Sequence, residues 1–434
     1  MRLAKVLVVL VLLAASTIGV LAGPPALAAS GTQSQVISAP ADAAGNRFGF
    51  AAALNPDNGT VALVGAPGTN PPTPTNVGKA YVFTHRGSAW PLQQELVPTP
   101  SLPQDFFGGA VALSGDGHTA LVGAPGNVFA SQQVNEPVLP GAAFVFAQNG
   151  TNGAWTQQAM LTGSGLPADE FGFAVALSRD GHEAVVGASS EDGGMGAVYV
   201  FIEQNGSWTL QARIADPGNS PLPPTVGDNF GFAVAVNPEG HELLVGADQA
   251  GNYPGPAGDG AGFADIYVQN DDGTWPATPT QQLTPMDGVL GDGFGDAVAL
   301  SGDGHVALIG SEEHGPSGQG SAYVFATHGG AWSQQQEVTG SPNDTAFGYV
   351  VAIDGNADTA KIGAPFTNDG ENAPAYRFTG KVGSWSISLV QTESGPTDYG
   401  SAVALNHEGD VELVGADDDL PDSGNGVVYA YEFG

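Results

Sequence analysis

Apolar residues recur along this chain with a period of two rather than 3.6. "FGFAVAL" (171–177) and "EAVVGAS" (183–189) are short runs of alternating or fully apolar residues, the pattern of half-buried and buried strands. Between them "SRDG" is a turn built from residues that tolerate positive φ. A third run, "GAVYVF", follows, and a fourth opens on a tryptophan, "WTLQARI". Four strands joined by tight turns predict an antiparallel meander, and no helical pattern of useful length interrupts it.

The meander is written seven times. An aromatic-glycine pair opens each copy: Phe48-Gly49, Phe107-Gly108, Phe171-Gly172, Phe230-Gly231, Phe294-Gly295, Phe347-Gly348 and Tyr399-Gly400. The intervals are 59, 64, 59, 64, 53 and 52 residues. A small-residue triplet follows each pair, as in Gly65-Ala66-Pro67, Gly187-Ala188-Ser189 and Gly415-Ala416-Asp417. Strict alternation of the two signatures marks an internal repeat, and repeated four-stranded sheets set around an axis are propeller blades. The predicted fold is therefore all-β: a seven-bladed β-propeller of four-stranded antiparallel blades, spanning residues 29–434. First strands such as "GFAVA" are small-residue runs suited to the crowded axis, while third strands carry "YVF", "FVF" or "IYV" where neighbouring blades diverge.

The chain ends sharpen the expectation. Tryptophans mark the turn into the fourth strand at Trp90, Trp155, Trp208, Trp275, Trp332 and Trp385, but the seventh copy stops after a third strand, "GVVYAYEFG". The stretch "TQSQVISAPADAAGNRFG" reads like the fourth-strand segments elsewhere. A strand around Gln33–Ile37 is thus expected to complete the last blade, leaving no open ring edge.

Composition changes this picture in three ways. Residues 1–28 have a signal-peptide pattern, with Arg2 and Lys5 before the apolar run "VLVVLVLLAASTIGVLA" and small residues up to Ala28. The mature chain is expected to be secreted or displayed at the cell surface, without a membrane span, and monomeric. Absence of cysteine means that such a fold rests on its core rather than on disulfides. The net charge of −34 excludes nucleic acid and anionic membranes as partners, because both require positive charge to displace counterions. Cations remain possible partners.

The Phe-Gly openings and Gly-Ala-Pro triplets resemble FG-GAP repeats, the units of the β-propeller at the head of integrin α subunits. Bacterial exported FG-GAP proteins with "ALSGDGHTALVGAP"-type units are closer still. The resemblance implies a propeller that binds partners at the face carrying its long loops. It also raises calcium as a cofactor, because integrin-like units often carry an Asp-x-Asp-x-Asp-Gly loop between the first two strands. The corresponding turns here, "SGDG", "SRDG", "NPEG" and "NHEG" among them, are short and poor in acids, whereas calcium takes six to eight oxygen ligands. No cofactor is expected at those turns.

Candidate site residues fall into three groups. An acid precedes the opening aromatic at Asp105, Asp169, Asp228 and Asp292, with Asp344 and Asp398 as close variants. These acids either cap the approach to the first strand or form a carboxylate ring near the channel mouth. Glu312, Glu313, Asp417, Asp418 and Asp419 lie in loops between second and third strands, where a cation or basic ligand could bind. Phe129 and Tyr253, in two further such loops, are aromatic candidates for a carbohydrate or protein contact. His118, His182, His241 and His305 recur at one turn position, but on separate blades, and zinc needs its ligands within about 2.0–2.3 Å of one point. No serine-nucleophile elbow, paired-histidine helix or phosphate loop occurs. The function expected is recognition of a protein or glycan through the loop-rich acidic face. The alternatives are a carbohydrate-active enzyme with a carboxylate site at the channel mouth and a structural component of an extracellular matrix.

Overall fold

The fold is seen in a computed structural model that describes residues 32–40, 47–68, 77–100, 106–126, 140–150, 153–166, 169–218, 227–248, 260–315, 317–367, 373–380, 388–395, 398–417 and 426–433. The signal-peptide pattern and Trp385 lie outside them.

The chain forms seven four-stranded antiparallel sheets. In blade 1 the strands Ala51–Leu54, Val61–Ala66, Lys79–Thr84 and Leu92–Leu96 follow one another from the axis outward. Blades 2 to 6 repeat that order. First strands of neighbouring blades touch around the axis, which explains their restriction to small residues.

The turn after each first strand is locked by one buried side chain. Asn55 Oδ1 accepts the Val61 N–H at 2.7 Å, Ser178 Oγ accepts that of Glu183 at 2.9 Å, and Asn406 Oδ1 accepts that of Val411 at 3.1 Å. In the Ser-x-Asp-Gly-His turns the aspartate completes the lock: Asp116 Oδ1 accepts both Ser114 Oγ–H, at 2.7 Å, and the His118 N–H, at 2.9 Å. These side chains substitute for backbone acceptors, as Ser, Asn and Asp commonly do in turns.

Adjacent blades meet backbone to backbone. A Cβ placed on Gly65 would lie 2.0 Å from the carbonyl oxygen of Gly108 in the next blade, and one on Gly123 would lie 2.1 Å from that of Gly172. The same clash recurs at Gly187 with Gly231, Gly246 with Gly295, Gly310 with Gly348, Gly363 with Gly400, and Gly415 with Gly49. The first glycine of each triplet therefore abuts the glycine of the following aromatic-glycine pair at all seven junctions. A second contact, unrecognised in the sequence, presses the glycine before the third strand (Gly78, Gly141, Gly196, Gly262, Gly320 and Gly426) on the carbonyl of the next blade's opening aromatic.

Outside this seam each opening aromatic packs edge-on against its own third strand, as Phe107 does on Phe144 and Phe146, with centroids 5.5 and 6.0 Å apart. Buried side chains fall into seven clusters, one for each pair of neighbouring blades. The cluster between blades 6 and 7 is small, because Lys361 and Arg377 take the places held by Leu63 and Val82 in blade 1. Both point at Glu412 of blade 7, at 2.6 and 3.0 Å, and all three residues are buried. Removing one partner of such a triad would leave an uncompensated buried charge, so its groups act as a unit.

The fourth strand of blade 7 is the N-terminal strand Thr32–Ser38, which pairs antiparallel with Val427–Glu432. Its register slips by one residue between Gln33 and Gln35, opposite Tyr431 and Ala430. Fourth strands of blades 1, 2, 3, 5 and 6 slip at the equivalent point. Gln35 consequently stands where Gln94 stands in blade 1. Gln94 holds both backbone groups of Trp155 in blade 2 at 2.8 Å, and Gln35 likewise accepts the N–H of Trp90 in blade 1.

Deleting residues 32–37 removes this outer strand and the Gln35–Trp90 tie. We expect unfolding to be facilitated by about 3–5 kcal/mol, the scale of losing several buried hydrogen bonds and Ile37 together. Calorimetry of the truncated chain checks this, and an unchanged melting temperature would contradict it.

Candidate functional site

A meander sends the connections after second and fourth strands to one face, and those after first and third strands to the other. On the loop-bearing face the residue before every aromatic-glycine pair has left-handed backbone: Arg47 (φ 57°), Phe106 (58°), Glu170 (57°), Asn229 (54°), Gly293 (68°), Ala346 (59°) and Asp398 (65°). For non-glycine residues this conformation costs roughly 1–2 kcal/mol. It persists because the pair beyond it is held on both sides by the glycine seam.

Several side chains of this rim converge on the channel mouth. Arg47 bonds Asp417 of blade 7 at 2.7 Å and lies over the Phe50 ring at 4.4 Å. Phe50 meets Phe106 of blade 2 edge-on at 5.5 Å, and Phe173 packs on Phe232 of blade 4 at 4.8 Å. Asn229 donates to Asp248 at 2.8 Å, and Glu170 accepts from Ser189 at 3.2 Å. On the opposite side, Asp296 accepts the Glu312 N–H at 3.3 Å. Asp296 is half-buried, and burial together with Glu312 and Asp248 pushes its carboxyl well above the usual range. Burial, with Glu313 and Asp248 nearby, pushes Glu312 up to about 7. Tyr349 sits among Glu312, Asp417, Arg47 and Asp296, and burial raises its hydroxyl pKa as well.

The acids singled out from the sequence separate into distinct environments. Asp292 and Asp344 lie against the outer strands rather than the channel. Asp344 Oδ2 accepts the Ser341 N–H at 2.6 Å and bonds the Tyr376 hydroxyl, while Asp292 Oδ2 accepts the Val289 N–H at 2.6 Å. Asp169 is buried and bonded by Ser164 Oγ–H, and Asp228 and Asp398 are also buried. Glu312 and Asp417 belong to the mouth, and Glu313 is exposed beside it. Asp105, Asp418, Asp419, Phe129 and Tyr253 lie outside the described residues. The turn histidines stand on separate blades, where His118 and His305 each face the aspartate of their own turn at 3.1 and 3.2 Å.

Three features were missed in the sequence. The left-handed rim position carries no recurring residue type, so no signal announced it. Asp296 and Tyr349 follow a Phe-Gly pair, a position that proves to face the channel. A third grouping lies on the rim of blade 5, where the carboxylates of Asp287 and Glu337 and the ring of His314 each offer an atom within 4.8 Å of the others, the only such set among the described residues. At the opposite face a cavity of about 140 Å³ is lined by Leu177, Val236, Leu300, Ile353 and Leu405, together with Arg179 and His407. Backbone bonds link neighbouring blades around it, as from His407 N–H to Pro56 O at 2.8 Å and from Gly115 N–H to Arg179 O at 2.7 Å.

Glu183 and Asp265 are buried and Glu242 is half-buried. Burial and nearby Asp180 push Glu183 up to about 8, and burial pushes Glu242 and Asp265 to about 7. Their folded-state values exceed the unfolded ones near 4, so the folded chain holds more protons between those limits and stability falls as pH rises. The lowered acids Asp116, Asp180 and Asp303 lose their contribution only at more acidic pH. The melting temperature should therefore be higher at pH 5.5 than at pH 8.5, and E183Q, which abolishes one buried charge, should recover about 1–3 kcal/mol at pH 8.5. Scanning calorimetry at the two pH values tests both, and a melting temperature that climbs with pH would contradict them.

Among the described residues no helix is long and apolar enough to cross a membrane. The FG-GAP repeat family model matches residues 90–146, 155–201 and 278–325. The first two matches run from the tryptophan at the start of one blade's fourth strand to the third strand of the next blade. Matched repeats, the glycine seam and seven blades agree: the chain carries FG-GAP repeats and folds as an FG-GAP β-propeller.

Proposed function

We propose that this propeller is an extracellular binding module that recognises a protein or glycan through the face bearing the left-handed rim. The observation supporting this reading is the rim itself. Seven positions share one backbone conformation and one place around the channel, yet present arginine, phenylalanine, glutamate, asparagine, glycine, alanine and aspartate. A constant frame with varied side chains is how repeat scaffolds build recognition surfaces. Half-buried Phe50, Phe173, Phe232 and Tyr349 offer ring faces for a sugar or a partner side chain, and half-buried Asp296 and Glu312 offer carboxyl groups.

Glycan arrays and pull-down from the native medium identify the partner. Replacing Phe173 and Phe232 together by alanine should weaken its retention tenfold or more, whereas Glu239→Ala on the opposite face should leave it unchanged. Equal retention by both variants would contradict the reading.

One observation favours a second reading, an enzyme acting on carbohydrate. Asp296 and Glu312 are neighbouring carboxyl groups whose burial among other acids raises both above the usual carboxylate range, the direction a general acid requires. Polysaccharide turnover abolished in E312Q would support it.

A further inference from the structure

The grouping on blade 5 lies outside the channel mouth and has the construction of a metal site. His314 Nδ1 is 2.9 Å from Asp292 Oδ2, whose side chain is 3% exposed. A buried carboxylate facing Nδ1 keeps the proton on that nitrogen and leaves the Nε2 lone pair available. Nε2 faces Asp287 at 3.9 Å and Glu337 at 3.7 Å. Both carboxylates are oriented from behind: the Tyr323 hydroxyl donates to Asp287 Oδ1 at 3.1 Å, and Ser321 Oγ–H donates to Glu337 Oε1 at 2.8 Å. A cation about 2.0–2.2 Å from each ligand would be accommodated by small side-chain rotations.

Blade 3 supplies an internal reference. There Tyr199 pairs across the sheet with Arg213, which binds Glu191 and Asp192 at 2.7 Å, and the Tyr199 hydroxyl donates to Glu191. In blade 5 the residue opposite Tyr323 is Glu337, and His314 stands where blade 3 has Glu191. The arginine has thus been replaced by a further carboxylate. Among the described residues no lysine or arginine pairs with Asp287, Asp292 or Glu337. Three carboxylates around one imidazole leave excess negative charge even when the ring is protonated, and a divalent cation would offset it.

We infer that Asp287, His314 and Glu337 bind a divalent transition-metal cation of zinc type, with Asp292 as a positioning residue. A nitrogen ligand among carboxylates suits such a cation, whereas calcium takes oxygen ligands alone and more of them. Asp287 and Glu337 are 47% and 30% exposed, which leaves a coordination position open to water or to an oxygen of a bound partner.

Zinc is titrated into the full mature chain by calorimetry, with millimolar magnesium and calcium present to occupy the general acidic surface. One equivalent should bind and raise the melting temperature. H314A and E337Q, each checked for native circular dichroism, should abolish that equivalent. D292N should weaken it about 10–100-fold and shift the visible bands of bound cobalt(II), a readout that a purely structural role would not move. An isotherm identical in wild type, H314A and E337Q, absence of stoichiometric binding to wild type, or displacement of zinc by equimolar calcium would overturn the inference. The titration contains no partner, so its failure leaves the binding reading intact.

Discussion

The contact on which the rest of this structure depends is between two glycines. Where the first glycine of a Gly-Ala-x triplet meets the glycine of the next blade's opening pair, even one methyl group would overlap a carbonyl oxygen by more than an ångström. Backbones can therefore approach closely at the loop-bearing face, while aromatic side chains fill the widening gap farther from the axis. The wedge shape of each blade, and so the number of blades in the ring, follows from this pairing of minimal and maximal side-chain volume.

The same constraint frames the candidate binding face. Each opening pair is fixed by the seam, so the residue before it is forced into left-handed backbone whatever its side chain. Chemistry can then vary without disturbing the scaffold. Blades 3 and 5 illustrate this freedom: one closes its rim with an arginine bridging two acids, the other with a histidine among three acids. Blade 6 varies the interior instead, setting Lys361 and Arg377 against Glu412.

Fold and site were not equally legible. Phe-Gly and Gly-Ala-Pro can be read from the sequence because backbone geometry admits few alternatives there, and repetition multiplies the signal. The turns after the first strands were legible as turns for the same reason, but the lock that Ser114 and Asn55 provide there was not. Of the blade 5 grouping only Asp292 was visible, by its position before Phe294, while Glu312 and Glu313, outside the grouping, stood out by their charge. Their neighbour His314, and the distant Asp287 and Glu337, are joined only by folding. Lys361 and Arg377 went unremarked in the sequence, where nothing indicated that both would face Glu412.

The central claim is that the junction between the chain's ends is built like the internal ones, which makes Gly415 equivalent to Gly187. Chemical denaturation of G415A, G187A and G150A tests it most directly, Gly150 having open space where its Cβ would stand. The account predicts losses of about 2–4 kcal/mol for G415A and G187A alike, and little change for G150A. A G415A chain as stable as G150A would contradict it.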